Sequence, residues 1–366
     1  MNYSIVMPPR ILFGRGESAK AADLARAFGP LGVVVHGSRG CSLPGLEDAL
    51  HITCAGEPTL AMLEAALGPA RAHGPDWVLA LGGGSVLDMG KALAGLIPQT
   101  TGAMDHLEGV GPALPLSMAP LPFIAIPTTA GTGAEATKNA VIAVPGRKVS
   151  LRDDRMMARV AIVDAGLTDG CPRAVTLASG LDAITQVIEP FVSCRANAFT
   201  DALTLPAIEQ GLAALIRLME GEDAGARDAM AWISLTGGIA LANAGLGAVH
   251  GLAGVIGGVT GAAHGAICGV LLPHVVAANR ARVADARRLD AVCGVIGRAL
   301  GVTAEDAPMA LARWAREQGL PTLTGLGLQA VDHAAVAEAA SGASSMKGNP
   351  VGLSEDDLCE VMRSAG

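Results

Sequence analysis

The residues best suited to chemistry lie in the second half of the chain. Asp182 and Gln186 stand four positions apart in a helical pattern and so share a face. His250 and His264 both fall in a long tract, between Asp228 and Arg280, that contains no Asp, Glu, Lys or Arg. A carboxylate with two imidazoles, supplemented by an amide oxygen, is a donor set for Fe(II) or Zn(II). An ion held there would polarise a carbonyl, or stabilise an alkoxide as hydride leaves. The same residues have plainer uses. An aspartate can cap a helix or pair with a base, and buried histidines are commonly just hydrogen-bonded. Spacing alone leaves both readings open.

A second kind of chemistry is written in the first half. Leu79-Ala80-Leu81 runs into Gly82-Gly83-Gly84-Ser85, and a helical pattern begins at once. Glycines let the backbone approach a phosphate, and a helix start offers unpaired N–H groups and a positive dipole end. Ser85 is placed to cap that helix and donate to a phosphate oxygen. The run differs from the GxGxxG fingerprint, and an ordinary βα turn would look much the same. A second loop, Pro127-Thr128-Thr129-Ala130-Gly131-Thr132-Gly133, also follows a β-rich run. Its hydroxyls suit phosphate, ribose or amide contacts at the carboxyl end of a parallel strand, where ligands bind in such sheets.

Elements able to position these residues can be read around them. GVVVHG (32–37), HITCAG (51–56), WVLALG (77–82), LPFIAIP (121–127) and VAIVDA (160–165) are strand candidates separated by helical runs. Alternation of this kind specifies a parallel sheet with helices on both faces. From about residue 170 the β-branched runs give way to long Ala/Leu-rich segments, which read as an all-helical domain. The expected division is an α/β dinucleotide-binding domain over residues 1–164 and an all-helical domain over 165–366.

Composition narrows the classes further. Hydrophobic residues make up 51% of the 366 and charged residues 16%, enough to build a large core and too apolar for a disordered chain. The net charge of −8, without any Lys/Arg cluster, argues against nucleic acid as a partner. The charge-free tract is broken by Gly, Asn, Thr, Pro and His, so buried helices are expected there, and no membrane span. Seven scattered cysteines with no CxxC pair suit free thiols in a reducing compartment. The N-terminal residues lack an apolar signal core, and a cytoplasmic protein is expected.

Taken in order, PRILFG (9–14), GGGSVLDMGKA (82–92), PTTAGTGAEAT (127–137), SGLDAITQVIE (179–189), AVHGLAG (248–254), AHGAICGVLLPHV (263–275) and KGNP (347–350) resemble the iron-containing alcohol dehydrogenases over nearly the whole chain. The resemblance implies the dehydroquinate synthase-like fold of that family, a parallel-sheet dinucleotide-binding domain followed by an all-α domain. It also implies a homodimer and hydride transfer between NAD(P) and a small alcohol/aldehyde or ketone pair. Carried over by position, Gly83, Gly84, Ser85 and Asp88 would lie along the cofactor, with Thr128, Thr129 and Thr132 on its phosphate and nicotinamide side. Lys148 stands where such proteins often carry a cofactor-binding lysine. Asp182, His250 and His264 match three of four usual metal ligands.

Two departures stand out. The fourth ligand is usually histidine, and here it is Gln186, a poorer donor that implies weak metal binding or none. A further histidine common in the family is replaced by Gly254, so the proton path has no evident donor and no catalytic acid is assigned. After the first β-rich run the chain reads His36-Gly37-Ser38-Arg39, with Gly37 and Ser38 facing the cofactor and no carboxylate to hold a ribose 2′-hydroxyl. That favours a 2′-phosphate, hence NADP over NAD, although Arg39 in an ordinary surface turn would carry no such meaning. A maleylacetate reductase-like enzyme, a lyase resembling dehydroquinate synthase, and a nucleotide-binding protein without metal-dependent catalysis remain as alternatives.

Overall fold

The structure is a computed structural model that describes residues 2–366. The chain divides into two compact units: residues 7–129 with 133–168, and residues 169–366 with Ala130–Thr132 and the segment ending at Val6. Against the expected division after residue 164, residues 165–168 go with the first unit. Three residues of the Thr/Gly loop go with the second.

The first unit is built on a parallel sheet. Its strands are β1 (Ile11–Phe13), β2 (Gly32–His36), β3 (Leu50–Thr53), β4 (Trp77–Gly82), β5 (Phe123–Pro127) and β8 (Val160–Val163), in the spatial order β1-β8-β5-β4-β2-β3. A separate antiparallel hairpin, β6 (Asn139–Val144) and β7 (Arg147–Arg152), turns at Pro145-Gly146. Helices α1 (Ala21–Arg26), α2 (Leu60–His73) and α3 (Gly84–Leu96) complete the unit. Strand periodicity decides which helix covers which face. Val33, Val35, Val78 and Ala80 join a core with Leu63 and Leu67 of α2 and Leu87 and Leu93 of α3. Their neighbours Val34, Trp77, Leu79 and Leu81 join a second core with Ala21, Ala22 and Ala25 of α1.

A buried polar knot ties α3 to the hairpin. Lys91, fully buried, donates from Nζ to the Ala134 carbonyl, the Asn139 carbonyl and Thr137 Oγ1, each at 2.8 Å. Asp88 lies 3.8 Å from that ammonium and accepts from the Val141 amide at 3.2 Å. Glu135 is buried beside the knot, and its Oε1 has no hydrogen-bond partner. Burial pushes the Glu135 carboxyl up to about 7, with its own backbone amide and then Lys91 only partly offsetting it. Because the folded value exceeds the unfolded one, Glu135 contributes stability fully at pH below about 4.5 and loses it as pH rises through about 7. Relative to wild type, Glu135→Gln should therefore gain on the order of 2 kcal/mol between pH 5 and pH 8. Urea melts of both proteins at the two pH values check this; equal differences at both would contradict it.

The second unit is helical: α4 (Arg173–Val192), α5 (Ala198–Glu220), α6 (Ala224–Ala244), α7 (Ala248–Thr260), α8 (His264–Arg282), α9 (Arg287–Leu300), α10 (Ala307–Glu317), α11 (His333–Ser341) and α12 (Glu355–Ser364). Helix α4 is central, packing against α5, α6 and α8, and every residue from Gly180 to Val192 is buried. The charge-free tract becomes most of α6, α7 and most of α8, and Ile233, Leu252, Ile256, Ile267 and Leu271 are wholly enclosed in the helical core. By length and composition alone α5 could cross a membrane, and half of its apolar window is buried within the protein. The start of α5 is held by a capping box between Asn197 and Thr200.

Candidate functional site

In the α/β unit, β2 leads outward to β3 while β4 leads the other way to β5 and β8. The order in which successive strands are added therefore reverses between β2 and β4, the kind of position where nucleotides bind in open α/β sheets. Parallel pairing of His36 with Leu81 puts two turns side by side, Gly37-Ser38 after β2 and the one from Gly82 at the end of β4 to Ser85 in the first turn of α3. Gly37 is half-buried, and Ser38 and Arg39 are exposed. Glycine is sterically required at Gly82, and Gly83 is closely packed. A Cβ on Gly82 would stand 2.5 Å from Val86 Cβ, and one on Gly83 only 3.3 Å from Thr129 Oγ1. The helix N-cap is Gly83, which corrects the expectation that Ser85 caps it; Ser85 is the second residue of α3. The first amides to bond back into the helix are those of Val86 and Leu87, both to the Gly83 carbonyl. The N–H groups of Gly84 and Ser85 precede that ladder, which is the arrangement that cradles a phosphate.

The remaining nucleotide candidates are distributed as follows. The Thr128 amide donates to the Gly82 carbonyl at 2.9 Å, so this loop is pinned to the glycine turn, with Thr129 against Gly83. Thr132 goes with the helical unit. Asp88 is engaged with Val141 and Lys91. Lys148, on β7, forms an ion pair with Glu57.

In the helical unit, Asp182 on α4, His250 on α7, and His264 and Cys268 on α8 bring four donor atoms within 4.8 Å of one another. Asp182 is 2% exposed, and its Oδ1 has no hydrogen-bond partner. It lies 3.4 Å from His250 Nε2. A buried carboxylate oxygen with no hydrogen bond, facing an imidazole at 3.4 Å, is costly unless something else satisfies it, and the surrounding nitrogen, oxygen and sulfur donors fit a divalent metal ion. Burial opposes the Asp182 charge, but the imidazoles of His250 and His264 outweigh it and hold the carboxyl below the ordinary carboxylate range. Burial pushes the Cys268 thiol up to about 12, with the His250 imidazole only partly offsetting it.

Glu189, also on α4, orders this cluster. Its Oε1 accepts the Val249 amide at 2.7 Å, placing an anion on the first turn of α7. Its Oε2 lies 2.6 Å from His250 Nδ1. With Nδ1 engaged by the carboxylate, Nε2 of the same ring is the nitrogen that faces Asp182. Asn349, in the KGNP stretch, accepts the Ala248 amide and exchanges hydrogen bonds with Asn279, fixing the same end of α7 to α8. The approach of α8 to α4 depends on Gly265, where a Cβ would stand 2.5 Å from the Ala178 carbonyl oxygen and 3.2 Å from Asp182 Cβ. Gln186 is buried one turn beyond Asp182, and its Nε2 donates to the Gly131 carbonyl at 2.9 Å. At Gly254, one turn beyond His250, an added Cβ would meet nothing within 4 Å.

Two residues of this cluster escaped the reading of the sequence. Glu189 lies two helical turns after Asp182 and Cys268 one turn after His264, and both spacings put them on the expected faces. Glu189→Gln would keep an acceptor for the Val249 amide while removing the charge behind His250. It should lower metal affinity about 10- to 100-fold with α7 intact, measured by competition against a calibrated chelator.

Residues 8–165 match the family described as iron-containing alcohol dehydrogenase, and residues 176–366 match the Fe-containing alcohol dehydrogenase family, C-terminal. Among curated relatives, a lactaldehyde reductase of Escherichia coli (strain K12) is 34% identical, with 96% of this chain and 97% of that protein covered. Alcohol dehydrogenase 4 of Saccharomyces cerevisiae (strain YJM789) is 31% identical, covering 98% and 97%. Among solved structures, a 1,3-propanediol oxidoreductase superimposes with a TM-score of 0.89 at 26% identity, both chains covered completely.

Proposed function

The chain belongs to the iron-containing alcohol dehydrogenases and is an oxidoreductase of the alcohol/aldehyde class, and we propose that it is a metal-assisted, NAD(P)-dependent enzyme reducing short aldehydes or ketones, or oxidising the matching alcohols. The observation that carries this reading is the four-donor cluster of Asp182, His250, His264 and Cys268 around an unsatisfied buried carboxylate oxygen. When bound, the nicotinamide would carry the hydride and a divalent ion, Fe(II) or Zn(II), would polarise the carbonyl oxygen.

The protein's own part is positioning. The amides of Gly84 and Ser85, with Gly83 leaving room for a close approach, would hold the pyrophosphate at the start of α3. Thr128 and Thr129 flank that turn. Gly37 and Ser38 would face the adenosine ribose, and Arg39, with no carboxylate beside it, supports NADP as the preferred form. Asp182 and His250 would hold the ion, with Glu189 fixing the His250 ring so that Nε2 faces it. Thr132, Lys148 and Asp88 are secondary nucleotide candidates. A reducing cytoplasm suits the seven unpaired cysteines, and a homodimer is the assembly expected from the family.

The relatives' names supply the first substrates to try, lactaldehyde and short alcohols. The test is elemental analysis of protein purified without chelator, with NADPH and NADH oxidation assayed on an aldehyde and keto-acid panel before and after EDTA. Near-stoichiometric metal with turnover lost on chelation supports the proposal. Chelator-resistant turnover without metal would make it a metal-independent reductase. Nucleotide binding with no turnover on any substrate would leave a binding protein, and selective reduction of maleylacetate would move the substrate class.

A further inference from the structure

The resemblance drawn from the sequence put Gln186 in the fourth ligand position, but the geometry points to a different donor. We propose that Cys268 is a metal ligand, giving an Asp182–His250–His264–Cys268 site with one thiolate. The inference rests on the metal reading above and deepens it by making one member of that cluster, the Cys268 sulfur, a bound thiolate in the position the resemblance gave to Gln186.

Three observations carry it. The first is distance. A tetrahedral ion with a metal–sulfur bond of about 2.3 Å and a metal–nitrogen bond of about 2.0–2.1 Å separates the two donors by about 3.6 Å. Cys268 Sγ lies 3.6 Å from His264 Nε2. The corresponding oxygen–nitrogen edge is about 3.3 Å, and Asp182 Oδ1 lies 3.4 Å from His250 Nε2. The second is the orphaned Asp182 Oδ1, buried and facing the same cluster. The third is enclosure. Cys268 is wholly buried on a helix whose start is pressed against α4 through Gly265, so the sulfur cannot turn away to solvent. Gln186, by contrast, spends its amide nitrogen on the Gly131 carbonyl and offers at most a neutral oxygen.

On binding, the Cys268 S–H bond is exchanged for a sulfur–metal bond and the proton leaves to solvent. A thiolate with two imidazoles and one carboxylate is softer than a set of oxygen and imidazole donors, and it suits zinc-like ions.

Cobalt(II) chloride titrated into chelator-stripped full-length protein tests this, because cobalt takes the zinc position and reports its ligands by absorption. One equivalent is expected to produce an intense near-ultraviolet sulfur-to-cobalt charge-transfer band. Cys268→Ser should abolish that band and weaken cobalt binding at least about tenfold, while Gln186→Ala keeps the band. If Cys268→Ser fails to fold, the band is measured with every accessible cysteine, Cys41, Cys171, Cys194 and Cys359, replaced by Ser, where its survival supports the Cys268 ligand and its loss overturns it. Cobalt bound with ligand-field bands but no charge-transfer band would overturn the thiolate ligand and leave the metal site standing. A band that survives in folded Cys268→Ser would also overturn it. No cobalt bound at all by equilibrium dialysis would overturn the metal reading together with this one.

Discussion

Asp182→Ala is expected to leave less than about one-tenth of an equivalent of bound metal and to lower kcat/KM for aldehyde reduction about a thousandfold or more, equivalent to some 4 kcal/mol of transition-state stabilisation. The argument rests on what the carboxylate does for its neighbours. Asp182 is the one anion in the cluster whose facing oxygen is free of other hydrogen bonds. Without it, an ion would have to sit among two imidazoles and the Cys268 sulfur, with one negative charge fewer to offset the cost of shedding its water. The substitution leaves Glu189 in place, so the start of α7 stays capped and the fold should survive. Elemental analysis and steady-state kinetics on the same preparation separate the outcomes. Full activity in a metal-free Asp182→Ala protein would refute metal assistance.

At the other site, Ser85→Asp should raise the dissociation constant for NADPH about a hundredfold while leaving the protein as stable as wild type or slightly more so. The two effects have opposite signs for a single reason. A carboxylate in the first turn of α3 interacts favourably with the helix dipole by about 0.3–1 kcal/mol. That same negative charge would occupy the place where a pyrophosphate has to lie against the Gly84 and Ser85 amides. Fluorescence titration with NADPH and a thermal melt of the free protein measure the two halves. If affinity is unchanged, the start of α3 is not the phosphate cradle.

How far these sites could be foreseen depended on the range of the signal that marks each residue. The glycine turn was legible because Gly82–Ser85 sit between a buried apolar strand and a helix that follow one another directly in the chain. Asp182, His250 and His264 were legible as rare polar groups among apolar ones. Cys268 was hidden because a cysteine inside an apolar helix usually serves as a small core side chain, and only its position beside His264 gives it another use. Glu189 was hidden for a related reason, since its role lies in the His250 ring and the Val249 amide, sixty positions away along the chain. The β6–β7 hairpin went unread although Pro145-Gly146 announces a turn, with Gly146 at φ +76. Strand β1 has just three residues, too few to show alternation. The transfer of Ala130–Thr132 to the helical unit follows from a contact no local pattern encodes, the seating of Gly131 on Ser179, where a Cβ would come within 2.9 Å.

The donors around Asp182 belong to three helices, α4, α7 and α8, and those on α7 and α8 stand within the first turn or two of their helices. An ion held by them would therefore act as a cross-link between stretches of chain that the unfolded protein keeps far apart. Its concentration would set part of the folding equilibrium, adding about 2.7 kcal/mol when free metal exceeds its dissociation constant a hundredfold. Amide exchange at residues 247–251 and 263–268 should slow as metal is added. With the proposed ion in place, the melting temperature would gauge how much metal the surroundings supply, and starvation for metal would be felt first as fraying at the starts of α7 and α8.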